Sequence, residues 1–202
     1  NRVFTMSCLA SVIMYTATFA NVVLISLHLQ YLRDMSPAAA GVVLMAQPCV
    51  MAIVSPYAGK VSDRLEPRVI ASVGMGFTAL GLMLLASIST TTALGLIVTY
   101  LMITGLGFSL FSSPNANAIM GSVEKNQYGI AASSVATMRV IGQVSSMGVV
   151  AMAFALTLGP VQITPDVYPL LERAVSLSLA IAAGLCLPGI YLSLVRGRVR
   201  VT

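Results

Sequence analysis

Chemistry in this sequence of 202 residues would have to be done with one histidine, three cysteines and six carboxylates. Cys8, Cys49 and Cys186 fall in three separate apolar runs, and His28 stands alone. Metal-ligand spacing is missing, so buried thiols acting as small hydrophobes are expected. The stretch GMGFTA, Gly74 to Ala79, fits the dinucleotide pattern G-x-G-x-x-[GA]. It lies inside an apolar run with no strand before it, so its glycines are read as points of close helix approach. No grouping of carboxylates, histidine or metal ligands suits catalysis, and neither an enzyme nor a cofactor is expected. Two features remain. GKVSDRLEPR, Gly59 to Arg68, carries five charges in ten residues where the whole chain is 8% charged, and Arg139 stands within an apolar stretch with Gln143 one turn on.

The elements that must position these groups follow from composition. With 57% hydrophobic residues and a mean hydropathy of +0.93, a soluble fold would lack polar residues to cover its surface. Charge-free runs cover residues 3–32, 35–59, 69–123, 140–165 and 174–195. A spanning helix needs about 20 apolar residues, so the longest run holds two spans, divided at SISTTT, Ser87 to Thr92. The pattern predicts an all-α membrane protein with six transmembrane helices in one domain, near residues 5–31, 37–58, 68–88, 93–121, 129–157 and 171–195. Period-2 alternation of a membrane strand is absent. The first run is too long for a signal peptide, and an opening on Asn1 in place of Met is expected of a segment cut from a longer polypeptide.

Orientation rests on the basic residues. Arg2, Lys60, Arg64, Arg68, Lys125, Arg196, Arg198 and Arg200 fall on one side, Arg33 and Arg173 on the other. The positive-inside rule then places both termini in the cytoplasm. Cations spread over short loops and a three-Arg tail give the net charge of +5 without a nucleic-acid partner. The tail is expected to meet anionic membrane lipids.

GKVSDRLEPR resembles the G-x-[LV]-x-D-R-x-G-x-[RK] loop that joins the second and third helices of each six-helix half in the major facilitator superfamily, on the cytoplasmic side. Here it joins spans two and three, on the side that the charge count makes cytoplasmic. GLGFSLFSSPNANAIMGSVEKNQYGIAASSVATMRVIGQ, Gly105 to Gln143, is similar to the C-terminal half of the fourteen-spanning drug:proton antiporters. Glu66 departs from the loop pattern, which has Gly there. The resemblance implies two inverted three-helix repeats, a partnering N-terminal six-helix half, and a gate motif of Gly59, Asp63, Arg64 and Arg68. Pro67 suits the first turn of span three, so Asp63 and Glu66 stand at the positive end of its dipole, where Arg64 and Arg68 can pair with them. Such pairs could latch one side of a carrier; a solvated turn is the plainer alternative.

Arg139 falls about 10 residues into span five, roughly 15 Å deep. An arginine at that depth needs protein or water around it. Pro114 in span four frees the Leu110 carbonyl and favours a kink, with Asn115 and Asn117 following. Arg139 is expected to hydrogen-bond this opened turn, with Gln143 assisting; attraction of an anionic substrate or repulsion of a proton on a partner carboxylate are alternatives. The stripe Gly105, Ser109, Ser113, Asn117 and Gly121, and the face Gly41, Met45, Pro48, Ala52 and Ser55, are read as packing surfaces. His28 is expected to snorkel at the outer interface. The resemblance pairs span one with span four as cavity-lining helices, which makes Asn21, Gln47, Asn115 and Asn117 the cavity candidates.

The function expected is secondary transport by alternating access in the cell membrane, specifically proton-coupled efflux of amphiphilic or cationic small molecules. Proton coupling comes from the resemblance alone, because every Asp and Glu falls in a loop or at a helix end. A scaffold subunit or a carrier of another metabolite is the alternative.

Overall fold

The computed structural model describes residues 1–62, 65–159 and 164–197, and within them every regular element is helical. Six helices are long and apolar enough to cross a membrane: α1 (Arg2–Leu32), α2 (Pro37–Ser62), α3 (Pro67–Ala86), α4 (Leu94–Met120), α5 (Lys125–Thr157) and α6 (Pro165–Val195). Their bounds lie within a few residues of the sequence expectation, with extra turns at the starts of α1, α5 and α6.

Local chemistry explains where they begin and end. Ser36 caps α2, its hydroxyl accepting from the Ala39 amide at 3.3 Å, and Pro37 fills the first position, where an amide would lack a partner. Pro67 does the same for α3, directly after Glu66. In the SISTTT turn the Ser89 amide donates to the Thr92 hydroxyl at 2.9 Å, so the cluster of small hydroxyls ties its own backbone. Two features went unread. α2 is interrupted at Met45, where Pro48 cannot donate to the carbonyl of Leu44 four residues back. The last five residues of α1, His28–Leu32, wind as a π-helix.

The packing order is regular. α4 lies against α2 and α3, α1 lies against α5 and α6, α3 meets α6, and α1 touches α4. Exchanging α1 with α4, α2 with α5 and α3 with α6 leaves these contacts unchanged, as two repeated three-helix units would; the exception is that α5 packs along α6 while α2 scarcely touches α3. Small residues bring the backbones together. A Cβ at Gly74 would stand 2.6 Å from the Gly107 carbonyl oxygen, and one at Gly142 would stand 2.5 Å from the Cβ of Tyr15. Gly105 abuts Gln47, so the stripe on α4 packs against α2. The small-residue face of α2 is different: Gly41, Met45, Pro48 and Ala52 are exposed.

Polar groups fasten the two ends. At one end Arg33 donates to the carbonyls of Thr90, at 2.9 and 3.2 Å, and Thr92. At the other end the Asn1 amide donates to the Ser122 carbonyl. His28 does not snorkel: it is 1% exposed, covered by the bundle, and its Nε2 has no partner among the described residues.

Candidate functional site

α2 and α5 bury only 17% of their most apolar windows, against 39% to 61% for the other spans. They flank α1 and α4 on the same side, and between the four helices lies an open cavity of about 570 Å³. α1 contributes Tyr15, Thr18, Phe19, Val22 and Val23; α2 contributes Gln47 and Met51; α4 contributes Phe108 and Ser112; α5 contributes Arg139 and Gln143. Its volume falls in the range of small-molecule sites, and its wall is apolar with a few placed polar groups.

Arg139 is the focus of this wall. Its guanidinium carbon stands 5.4 Å from the centroid of the Tyr15 ring, a cation–π contact. Tyr15 in turn meets Phe108 edge to face, with centroids 5.6 Å apart and planes at 67°. The expected hydrogen bond from Arg139 to the opened turn at Pro114 is not among the bonds of the described residues. Arg139 instead reaches that turn across a side cavity of about 50 Å³, which it lines with Ser11, Phe111 and Asn115. α4 itself continues as a helix through Pro114 to Met120.

The asparagines expected in the cavity are committed elsewhere. Asn21 is 1% exposed and stands behind the wall, donating to Gln47 Oε1 at 3.0 Å. That bond fixes Gln47, which does face the cavity. Asn117 donates to the Ser62 hydroxyl at 3.0 Å and holds α4 to the end of α2. Asn115 donates to the Ser7 carbonyl at 3.1 Å and the Ser11 hydroxyl at 2.8 Å. Its carbonyl accepts from Arg196 Nη1 at 2.6 Å. Side chains of one helical face share a stripe, but the sequence does not say which neighbour that stripe meets.

Of the three tail arginines expected to face lipid, Arg198 and Arg200 lie outside the described residues, and Arg196 turns inward. It is fully buried, and Ser7 Oγ accepts from the same Nη1 at 3.2 Å. Burial, and then the charge of Arg68, lower its pKa to about 10, so it remains charged at neutral pH. A cue was present: Arg196 follows the last residue of α6 directly, so it shares that helix's surroundings.

Of the charged loop, Asp63 and Arg64 lie outside the described residues. Arg68 Nε pairs with Glu66 Oε2 at 2.5 Å, both half-exposed, a contact of at most about 1 kcal/mol. Gly59 sits where a Cβ would come to 3.0 Å from the Ser113 hydroxyl, so α2 and α4 close tightly just before the loop.

Comparison with known proteins accords with this architecture. A family description, Major Facilitator Superfamily, matches residues 7–199. The riboflavin transporter RibZ of Clostridioides difficile is 32% identical over 139 residues, 69% of this chain and 30% of that protein. The multidrug resistance protein Stp of Mycobacterium tuberculosis is 27% identical over 80% of this chain and 29% of its own length. The multidrug efflux pump LfrA of Mycolicibacterium smegmatis is 25% identical over 75% of this chain and 31% of its own. The chain thus spans about three tenths of the length of these relatives.

Proposed function

Because the chain belongs to the Major Facilitator Superfamily, we propose that it forms the C-terminal six-helix half of a secondary transporter and carries one wall of its substrate cavity. The observation that supports this most is the cavity itself, lined by α1, α2, α4 and α5 on the side where α2 and α5 are least covered. A companion half laid over that side would enclose the cavity and bury the small-residue face of α2. The pairing of α1 with α4 across the repeated units supports this reading, since carriers built from such repeats hold substrate at the repeat interface.

In this reading the termini and the loop of residues 59–68 face the cytoplasm, where eight of the eleven basic residues fall. Gly59 lets α2 close on α4, and the loop's charges latch that side when the carrier opens outward. Substrates are small molecules with an apolar body, moved outward in exchange for protons; the multidrug pumps among the relatives favour efflux, and the riboflavin transporter favours a planar conjugated ring.

The test is transport by the complete polypeptide in proteoliposomes under an imposed pH gradient. One-for-one exchange across one pH unit is expected to sustain about a tenfold substrate gradient. A gradient insensitive to pH would remove proton coupling and keep the carrier; no uptake of any ring-bearing solute by folded protein would remove the carrier.

A further inference from the structure

We propose that the substrate is an anionic aromatic compound, a conjugated ring bearing a carboxylate or sulfonate, and that Arg139 is the residue that selects it. This rests on the cavity being the transport site and goes further by fixing the sign of the charge.

Charge of one sign lines the wall. Among the described lining residues, Arg139 is the single Lys or Arg, and none is Asp or Glu. No hydrogen bond from the described residues occupies its guanidinium, which leaves five N–H donors in a planar fork that matches a carboxylate in two parallel bonds. An organic cation is best held by a carboxylate, and none is among the described lining residues, while one face of Tyr15 is already covered by the guanidinium itself. The apolar part of a ligand has Phe19 and Phe108 to meet, while Gln47 and Gln143 supply amide groups for polar edges.

The fork is positioned by the fold. Gly142 lies three residues after Arg139 on α5 and presses against Tyr15, where a Cβ would reach the Tyr15 Cβ at 2.5 Å. α5 therefore meets the backbone of α1 at this level, at Val12 and Thr16, which lays the guanidinium on the Tyr15 ring. Phe108 braces that ring from its edge. An aromatic and a glycine thus hold the arginine without using its donors, which is how a site keeps a guanidinium available for an incoming anion.

The experiment compares three probes with one ring, 2-naphthoate, 2-acetylnaphthalene and 2-naphthyltrimethylammonium, by equilibrium dialysis against the full-length protein in nanodiscs. Naphthoate is expected to bind at least about tenfold tighter than the ammonium probe. Arg139→Gln should weaken naphthoate by about tenfold and leave the neutral ketone within about twofold, and Arg139→Lys, which keeps the charge and loses the fork, should fall between. Retained ketone binding shows that the variants are folded. An ammonium probe bound as tightly as naphthoate, or a naphthoate preference that survives in Arg139→Gln, would overturn the charge assignment while leaving the transport reading in place. Failure of all three probes to bind the unmodified protein would overturn both.

Discussion

Asn115→Leu is expected to lower the unfolding midpoint of the solubilised protein more than Arg196→Met does, although Arg196 is the charged member of the pair. Arg196 is fully buried, and among the described residues only its Nη1 has partners, with none for Nε and Nη2. Asn115 supplies the shorter of the two bonds, at 2.6 Å. Its loss leaves a buried charge on the Ser7 hydroxyl alone and also frees the Ser7 carbonyl and Ser11 hydroxyl that the Asn115 amide served. A hydrogen bond to a charged group is worth about 1.5–3 kcal/mol, and an unsatisfied buried partner adds to that. Arg196→Met keeps most of the stem volume and removes the charge with its unpaired donors, so its cost is set at about 1 kcal/mol in either direction. The double variant should then fall between the two single variants, because the bonds lost at Ser7 and Ser11 stay lost once the charge is gone. Thermal unfolding of the four proteins in one detergent checks this, and an Arg196→Met variant that fails to fold while Asn115→Leu is tolerated would refute it.

Gly107→Val should prevent the chain from packing at all. A Cβ at this position would lie 2.4 Å from the Thr78 amide nitrogen and 2.6 Å from the Gly74 carbonyl oxygen, and both are backbone. Backbone atoms of two helices cannot move independently, so relief requires α3 and α4 to separate along their contact. Overpacking costs about 1–3 kcal/mol where side chains can yield, and more is expected where they cannot. Gly76→Ala is the contrast, since nothing lies within 4 Å of its would-be Cβ. Size-exclusion profiles should show aggregate for the first and a single peak for the second; a well-behaved Gly107→Val protein would show that this crossing is looser than described.

These two glycines mark the limit of what the residues alone convey. Gly74 and Gly76 belong to one motif and were read together as points of close approach. One faces Gly107 and the other faces open space, because a step of two residues turns a helix by more than half a circle. The spans, the SISTTT turn and the proline that starts α3 were legible, since each depends on local chemistry within a few residues. What was not legible depends on how helices are rotated against each other. Asn21, Asn115 and Asn117 were correctly singled out as polar groups within spans, but their partners Gln47, Ser7 and Ser62 come from other helices. Tyr15 and Phe108 were passed over because an aromatic in an apolar run carries no signal until Arg139 is seen beside it. The break at Met45 lies three residues before Pro48, yet α4 runs unbroken through Pro114, so a proline alone does not say which helix is interrupted.

The arginines at the two ends bear on how such a body moves. Arg33 knots one rim through the carbonyls of Thr90 and Thr92, and Arg196 knots the other through Ser7 and Asn115, joining α1, α4 and α6. A bundle cinched at both rims resists flexing between its own helices. In the proposed carrier, rocking would shift the whole bundle as one block against whatever covers the bare surface of α2 and α5.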